Sequence, residues 1–232
     1  RLTDVTGVQT CALPIYFTAA GTITQLVLGN LGHGCVIDIQ GAGIPLTMTA
    51  GAVTNLQLES LSPIRSLTVR DWTRTAGQAS GITAPSLGVL RSGGDLQADV
   101  TLGDPTAVLA LAAAAGTIGP GVWDIAGSAG AIAAGAIDEA WAASISGALR
   151  NLIVRGDMDG SLAAASVGSV FVGGSLDGAQ ILAGADLGSD AAMGGSDAAA
   201  DTYAPGWIGR LTVAGAVTDS LIMAGMHPFD GA

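Results

Sequence analysis

The chain has no lysine, few charged residues of any kind and few aromatic rings. Lys+Arg totals 8 in 232 residues, all of it arginine, against 19 Asp+Glu, for a formal net charge of −11. So few cations exclude a nucleic-acid surface, which needs many phosphate contacts. The absence of lysine also excludes a phosphate-binding loop of the G-x-x-x-x-G-K-[ST] type, and neither H-E-x-x-H nor C-x-x-C occurs. No apolar run reaches the 18 or so residues that a membrane-spanning helix needs. The longest, residues 107–115, is half that length. Of two cysteines, Cys11 lies in a segment set aside below, and Cys35 alone makes no intrachain disulfide.

What is abundant is small and apolar. Glycine supplies 36 residues, hydrophobic residues 49%, and mean hydropathy is +0.54. Such a chain is not disordered, because it has apolar surface to bury and little charge to keep it apart. Glycine never recurs strictly every third residue, which excludes a collagen helix. The composition predicts many short strands joined by glycine turns.

Residues 5–15, VTGVQTCALPI, resemble the conceptual translation of a short-read sequencing adapter. Residues 1–15 are therefore expected to be foreign and unstructured, with one domain over 16–232. The chain is expected to be a fragment open at both ends.

Internal repetition sets the architecture. Residues 149–166 (LRNLIVRGDMDGSLAAAS), 167–184 (VGSVFVGGSLDGAQILAG) and 208–225 (IGRLTVAGAVTDSLIMAG) are matched 18-residue blocks. The first two are tandem, and 23 residues separate the second from the third. Apolar positions coincide at Leu149/Val167/Ile208, Leu152/Val170/Leu211, Val154/Val172/Val213 and Met158/Leu176/Val217, and Gly156/Gly174/Gly215 also align. Upstream, 64–71 matches 149–156, and Ile137 and Asp138 match Met158 and Asp159. Residues 21–31 match 51–61 at an offset of 30.

Within a block the apolar residues alternate, which is the period of a strand with one face inward. A unit this short cannot bury its own face, so successive units must stack. The prediction is an all-β, single-stranded parallel β-helix (a β-solenoid) of about 18–21 residues per regular coil, right-handed, with 185–207 as an insertion loop. Its interior should be ladders of Leu, Val, Ile and Ala. The Ala-rich stretch 107–148 has helical composition, but seven glycines and Pro120 break it.

The phrases at 82–104, 149–178 and 200–225 resemble the Gly-rich β-helical repeat regions of very large secreted or surface proteins of planctomycete-like bacteria. That resemblance covers about residues 20–232. It implies an extracellular or cell-surface location and an adhesive or scaffolding role. The implied partners are other domains of the same large protein and polysaccharide or cell-envelope components. It carries over no active-site residue.

Candidate sites are few. Asp138, Asp159 and Asp177 share one repeat position and should form a column. Adjacent carboxylates repel unless water or a cation intervenes, which makes them calcium candidates. The alternatives are solvent-facing turn aspartates or a polysaccharide-cleaving carboxylate cluster. The insertion supplies Asp186, Asp190, Asp197 and Asp201, oxygen donors that would also suit calcium. Their spacing fits neither an EF-hand nor a calcium nonapeptide. His33, Cys35 and Asp38 surround a GHG triplet that resembles polygalacturonase-type enzymes, whose other motifs are missing; His227 stands apart. Trp72, Trp123, Trp141 and Trp207 are the rings that could stack on a sugar. No catalytic set emerges, and no cofactor beyond calcium is expected.

Overall fold

The computed structural model describes residues 5–7, 16–32, 34–194, 196 and 200–225. It is an all-β parallel solenoid. Gly188–Asp190 is the one helical turn among the described residues. Each coil contributes to three columns, designated face A, the corner and face B.

On face A the inward residues Leu26, Met48, Leu67, Leu90, Ala112, Ile132, Leu152, Val170 and Leu211 stack in register from coil to coil. On face B the inward ladder is Phe17, Ile37, Leu58, Ile82, Val100, Trp123, Ala143, Leu162, Ile181 and Ile222. At the corner Leu31, Val53, Trp72, Leu96, Ile118, Ile137, Met158, Leu176 and Val217 stack through single bridges or two-residue strands, except that Val53 and Trp72 pair at the ends of the longer strands Leu46–Thr54 and Ile64–Thr73. The strands Trp141–Val154 and Ser161–Val172 run through both faces, with a register shift between Ile145 and Ala148.

The matched apolar positions of the three 18-residue blocks are direct neighbours in this register. The offset of 30 is corrected. Gln25–Leu28 is a face A strand that pairs with Thr47–Thr49, whereas its sequence match leads into Gln57–Ser60 on face B. Coil length also exceeds 21 upstream, as in the 24-residue step from Leu58 to Ile82. The Ala-rich stretch is strand: Val108–Ala114 pairs on both sides, so neighbouring ladders override helix propensity. Within residues 1–15, set aside as unstructured, Val5–Gly7 is described as a strand against Leu26–Leu28. An edge strand can template any extended segment. The rest of that stretch, Cys11 included, lies outside the described residues.

The interior differs from the expected aliphatic ladders. Trp72, Trp123 and Trp141 are fully buried. Trp141 pairs with Gly121 in the ladder, and a Cβ on Gly121 or Gly160 would run into backbone, Ala98 O in the first case and Trp141 O at 2.7 Å in the second. The Trp123 and Trp141 rings meet edge to face, 5.5 Å apart at 81°, a favoured aromatic geometry.

The corner has its own chemistry. The side chain just before the inward corner residue accepts the backbone N–H of the equivalent residue one coil on. Asn30 Oδ1 takes Ala52 N–H at 2.9 Å, Asp71 takes Asp95 at 2.8 Å, Asp95 takes Thr117 at 2.8 Å and Asp157 takes Ser175 at 2.7 Å. The Ser175 hydroxyl does the same for Ala216 at 3.1 Å. In the next coil a glycine lies against that oxygen. A Cβ on Gly51, Gly94, Gly116, Gly174 or Gly215 would sit 2.2–2.5 Å from it. The aligned Gly174 and Gly215 are therefore required by both a side chain and the backbone of the coil below, since a Cβ there would also come within 2.6–2.8 Å of backbone atoms.

Candidate functional site

Asp138, Asp159 and Asp177 follow the inward column Ile137, Met158, Leu176 by one residue, so they fall on consecutive coils as predicted. Their backbones continue the ladder: Asp138 N–H donates to Ile118 O, Asp159 to Ile137 O and Asp177 to Met158 O, at 3.0, 3.1 and 3.3 Å. The column ends at Thr218, whose hydroxyl donates to Asp177 Oδ1 at 2.7 Å. Partial burial holds the Asp159 carboxyl above its ordinary range, and the charges of Asp177, Asp157, Glu139 and Asp138 push the same way. A ladder sets its carboxylates in a line, one per rung of ~4.8 Å, rather than converging them on a point. Among the described residues no three His, Cys, Asp or Glu side chains gather closely enough to hold a metal ion.

The insertion does not gather its aspartates either. It folds back over face B. Ala185–Asp186 pairs antiparallel with Thr202–Tyr203, and Leu187 and Ala191 are buried. Leu187 and Ala185 cover Ala163 and Leu182, outward residues of face B, in a small core separate from the main one. A polar clamp fixes this lid. Ser144 Oγ donates to Asp186 Oδ1 and accepts Leu187 N–H, both at 2.9 Å. Asp186 Oδ1 also accepts Gly188 N–H at 3.1 Å. Asp190 accepts Ala192 N–H at 3.2 Å, and Asp201 accepts the Tyr203 hydroxyl at 2.6 Å and Gly194 N–H at 2.8 Å. Asp197 lies outside the described residues. The described aspartates of the insertion are thus spent on its own turns and docking.

Face B carries a set of polar groups that sequence reading passed over. Asp38, Glu59, Thr83, Thr101 and Asp124 form one outward row, beside a second containing Gln57, Gly81 and Asp99. Arg74 Nη2 pairs with Asp99 at 2.5 Å and donates to Ser80 O at 2.6 Å, tying the loop 74–80 over this surface. Asp99 Oδ1 accepts Val122 N–H at 2.9 Å. Burial, then the nearby Asp186 charge, raises the Asp124 carboxyl above its ordinary range. Two hollows flank the loop. One of about 150 Å³ has Glu59, Gly81, Thr83 and Asp99 in its wall. The other, about 540 Å³, is lined by neutral groups: Tyr16, Asn55, Gln57, Thr75 and Gln78. The available signal was the strand pattern itself, since VIDI, QLES, DVTL and VWDI each place an acid or hydroxyl on an outward position.

The proposed sugar-stacking tryptophans are corrected. Trp72, Trp123 and Trp141 face inward and are buried in the rod. Of the four, only Trp207 is exposed, at 56%. Cys35 is buried, its thiol directed at Gly32 O at 3.3 Å, and Asp38 faces out on face B. His33 and His227 lie outside the described residues. No family model, curated protein or solved structure matches the chain.

Proposed function

We propose that the chain is a structural or adhesive solenoid segment of a large secreted or cell-surface protein, with no catalytic step of its own. The corner caps are the observation that supports this reading most directly. The carboxylates of Asp71, Asp95 and Asp157 bind backbone N–H groups of the next coil, so they hold the rod together. Partners in this reading are neighbouring domains and envelope polysaccharide. Calcium enters as a counter-ion that relieves the crowding around Asp159. Added calcium then raises the melting temperature and EDTA reverses the rise; an unchanged melting temperature removes calcium from the reading.

The decisive experiment incubates the chain with neutral and uronic-acid polysaccharides and follows two signals, co-sedimentation with insoluble polymer and release of reducing or unsaturated sugar ends. Binding without release supports an adhesive segment. Release of sugar ends overturns it in favour of an enzyme.

The 540 Å³ hollow favours a second reading, a carbohydrate-binding module. Its amides, hydroxyl and the exposed Tyr16 ring match the mixture that holds a neutral sugar. In that reading Gln57→Ala and Gln78→Ala weaken retention on a neutral-polysaccharide gel and leave folding intact.

A further inference from the structure

The charge on this rod is sorted by face. Arg65, Arg70, Arg91, Arg150, Arg155 and Arg210 are all exposed, and all lie on outward positions of face A. Among the described residues, those outward rows contain no carboxylate. The one ion pair among the described residues belongs to Arg74, which is elsewhere. Between the arginine groups runs a strip of small apolar side chains, Ala113 and Ala133, continued by Ile153 and Phe171, which are 42% and 44% exposed. Carboxylates line the adjoining corner, at Asp71, Asp95, Asp138, Asp157, Asp159 and Asp177, and others stand on face B, at Asp38, Glu59, Asp99 and Asp124. A chain with a net charge of −11 thus presents one cationic, partly apolar side.

We infer that face A is an association surface whose partner is the acidic corner of a second copy of this chain, laid alongside with parallel axes and coils within one rung of the same height. The inference rests on the structural reading above.

Axial spacing selects this partner. Counting coils along the ladder, Arg70 and Arg155 are four rungs apart, and so are Asp71 and Asp157. Four rungs span about 19 Å. An unshifted neighbour brings both arginine groups opposite carboxylates. A shift of one rung does so too, through Asp95 and Asp177, whereas a shift of two rungs places Arg70 opposite Thr117 instead. A polyanionic sugar chain carries charge at every residue. It would leave its charges unanswered over the intervening rungs, where face A offers Ala113 and Ala133. The area is also adequate. Nine rungs by six residues of strand make a face of about 38 Å by about 20 Å, close to the ~800 Å² per partner of a standard interface. Because two different surfaces meet, each copy keeps one of each free, and association continues into side-by-side arrays.

Sedimentation velocity on the full chain tests this. In salt of about 0.01 M, where the Debye length is ~30 Å, the chain should form a concentration-dependent series of species. That series should collapse to monomer in about 1 M salt, where the length is ~3 Å. R150E/R155E and D159R/D177R should each be monomeric at both salt levels. Mixed together at low salt, they should assemble again as alternating copies, because the unchanged face meets the unchanged corner and the reversed face meets the reversed corner. Circular dichroism and melting of each variant confirm that the substitutions leave the fold intact. A wild-type chain that stays monomeric overturns the inference, as do charge-reversed variants that still assemble alone or a mixture that fails to assemble. A monomeric wild type retained on polygalacturonate assigns face A to polysaccharide instead. Each of these results leaves the structural reading standing, because that reading fails only if sugar ends are released.

Discussion

The corner caps make a quantitative claim that one thermodynamic cycle can test. Asp95 Oδ1 accepts Thr117 N–H at 2.8 Å, and a Cβ on Gly116 would lie 2.2 Å from that same oxygen. The nearest backbone atoms to that Cβ, Gly94 C and Asp95 N, are at 3.1 and 3.2 Å, tight but tolerable. Gly116→Ala therefore has to turn the carboxylate aside and lose its hydrogen bond. A bond to a charged group contributes roughly 1.5–3 kcal/mol. Asp95→Ala alone loses the same bond. In the double variant the oxygen is gone, so the alanine methyl meets nothing new on the side chain. Gly116 has no positive φ. The second substitution should then be neutral, or stabilise by roughly 0.4–1 kcal/mol through the unfolded chain. The expected coupling is about 1.5–3 kcal/mol, well above the error of such a cycle. Because solenoids can unfold in segments, denaturant melts should be paired with hydrogen exchange over residues 94–118. There the Thr117 amide should lose protection in both single variants. If Gly116→Ala costs as much without Asp95 as with it, the glycine is required by the backbone alone and the capping argument fails.

Other outcomes follow from the same contacts. Trp141→Ala should cost about 3–5 kcal/mol in denaturant melts, as a large cavity does. Trp141→Phe should cost less than Trp72→Phe. Trp72 Nε1 donates to Ser80 at 2.8 Å, whereas Trp141 Nε1 is buried with no partner among the described residues. Both Asp124 and Asp159 titrate above the ordinary 3.8, so the stability they contribute is full below that value and is lost as pH rises through the raised values. Asp124→Asn should accordingly raise the melting temperature at neutral pH and flatten its fall above pH 3.8. Both groups are substantially solvated, so the gain should stay below about 1 kcal/mol. A lower neutral-pH melting temperature in Asp124→Asn would contradict the sign. Ser144→Ala should free the insertion without unfolding the rod. Limited proteolysis should then cut within 188–201 several-fold faster while the rest of the digest is unchanged.

The 18-residue blocks were legible because their coils stack without interruption. Leu149, Val167 and Ile208 match in sequence and touch in space, even though the insertion separates the last two. The aspartate column was legible for the same reason. Upstream, coil lengths vary between faces and turns, and similarity without a fixed period misled: 21–31 and 51–61 read alike, but the first runs along face A to the corner and the second from the corner onto face B. Nothing in the sequence said which alternating positions on face B share a row, so Glu59, Asp99 and Asp124 were missed as a group.

Alternation, glycine and the tandem period determined by themselves that this chain is a stacked parallel solenoid, because no single coil can bury its own apolar side. Only the tertiary structure decided what lies between coils. The register placed three indoles inside, bound corner carboxylates to amides some 20 residues further along, and folded the acidic insertion down as a lid. It also gathered the arginines on one side. Each of these depends on contacts between residues a whole coil apart, and coil length is set by turns whose conformation composition does not encode.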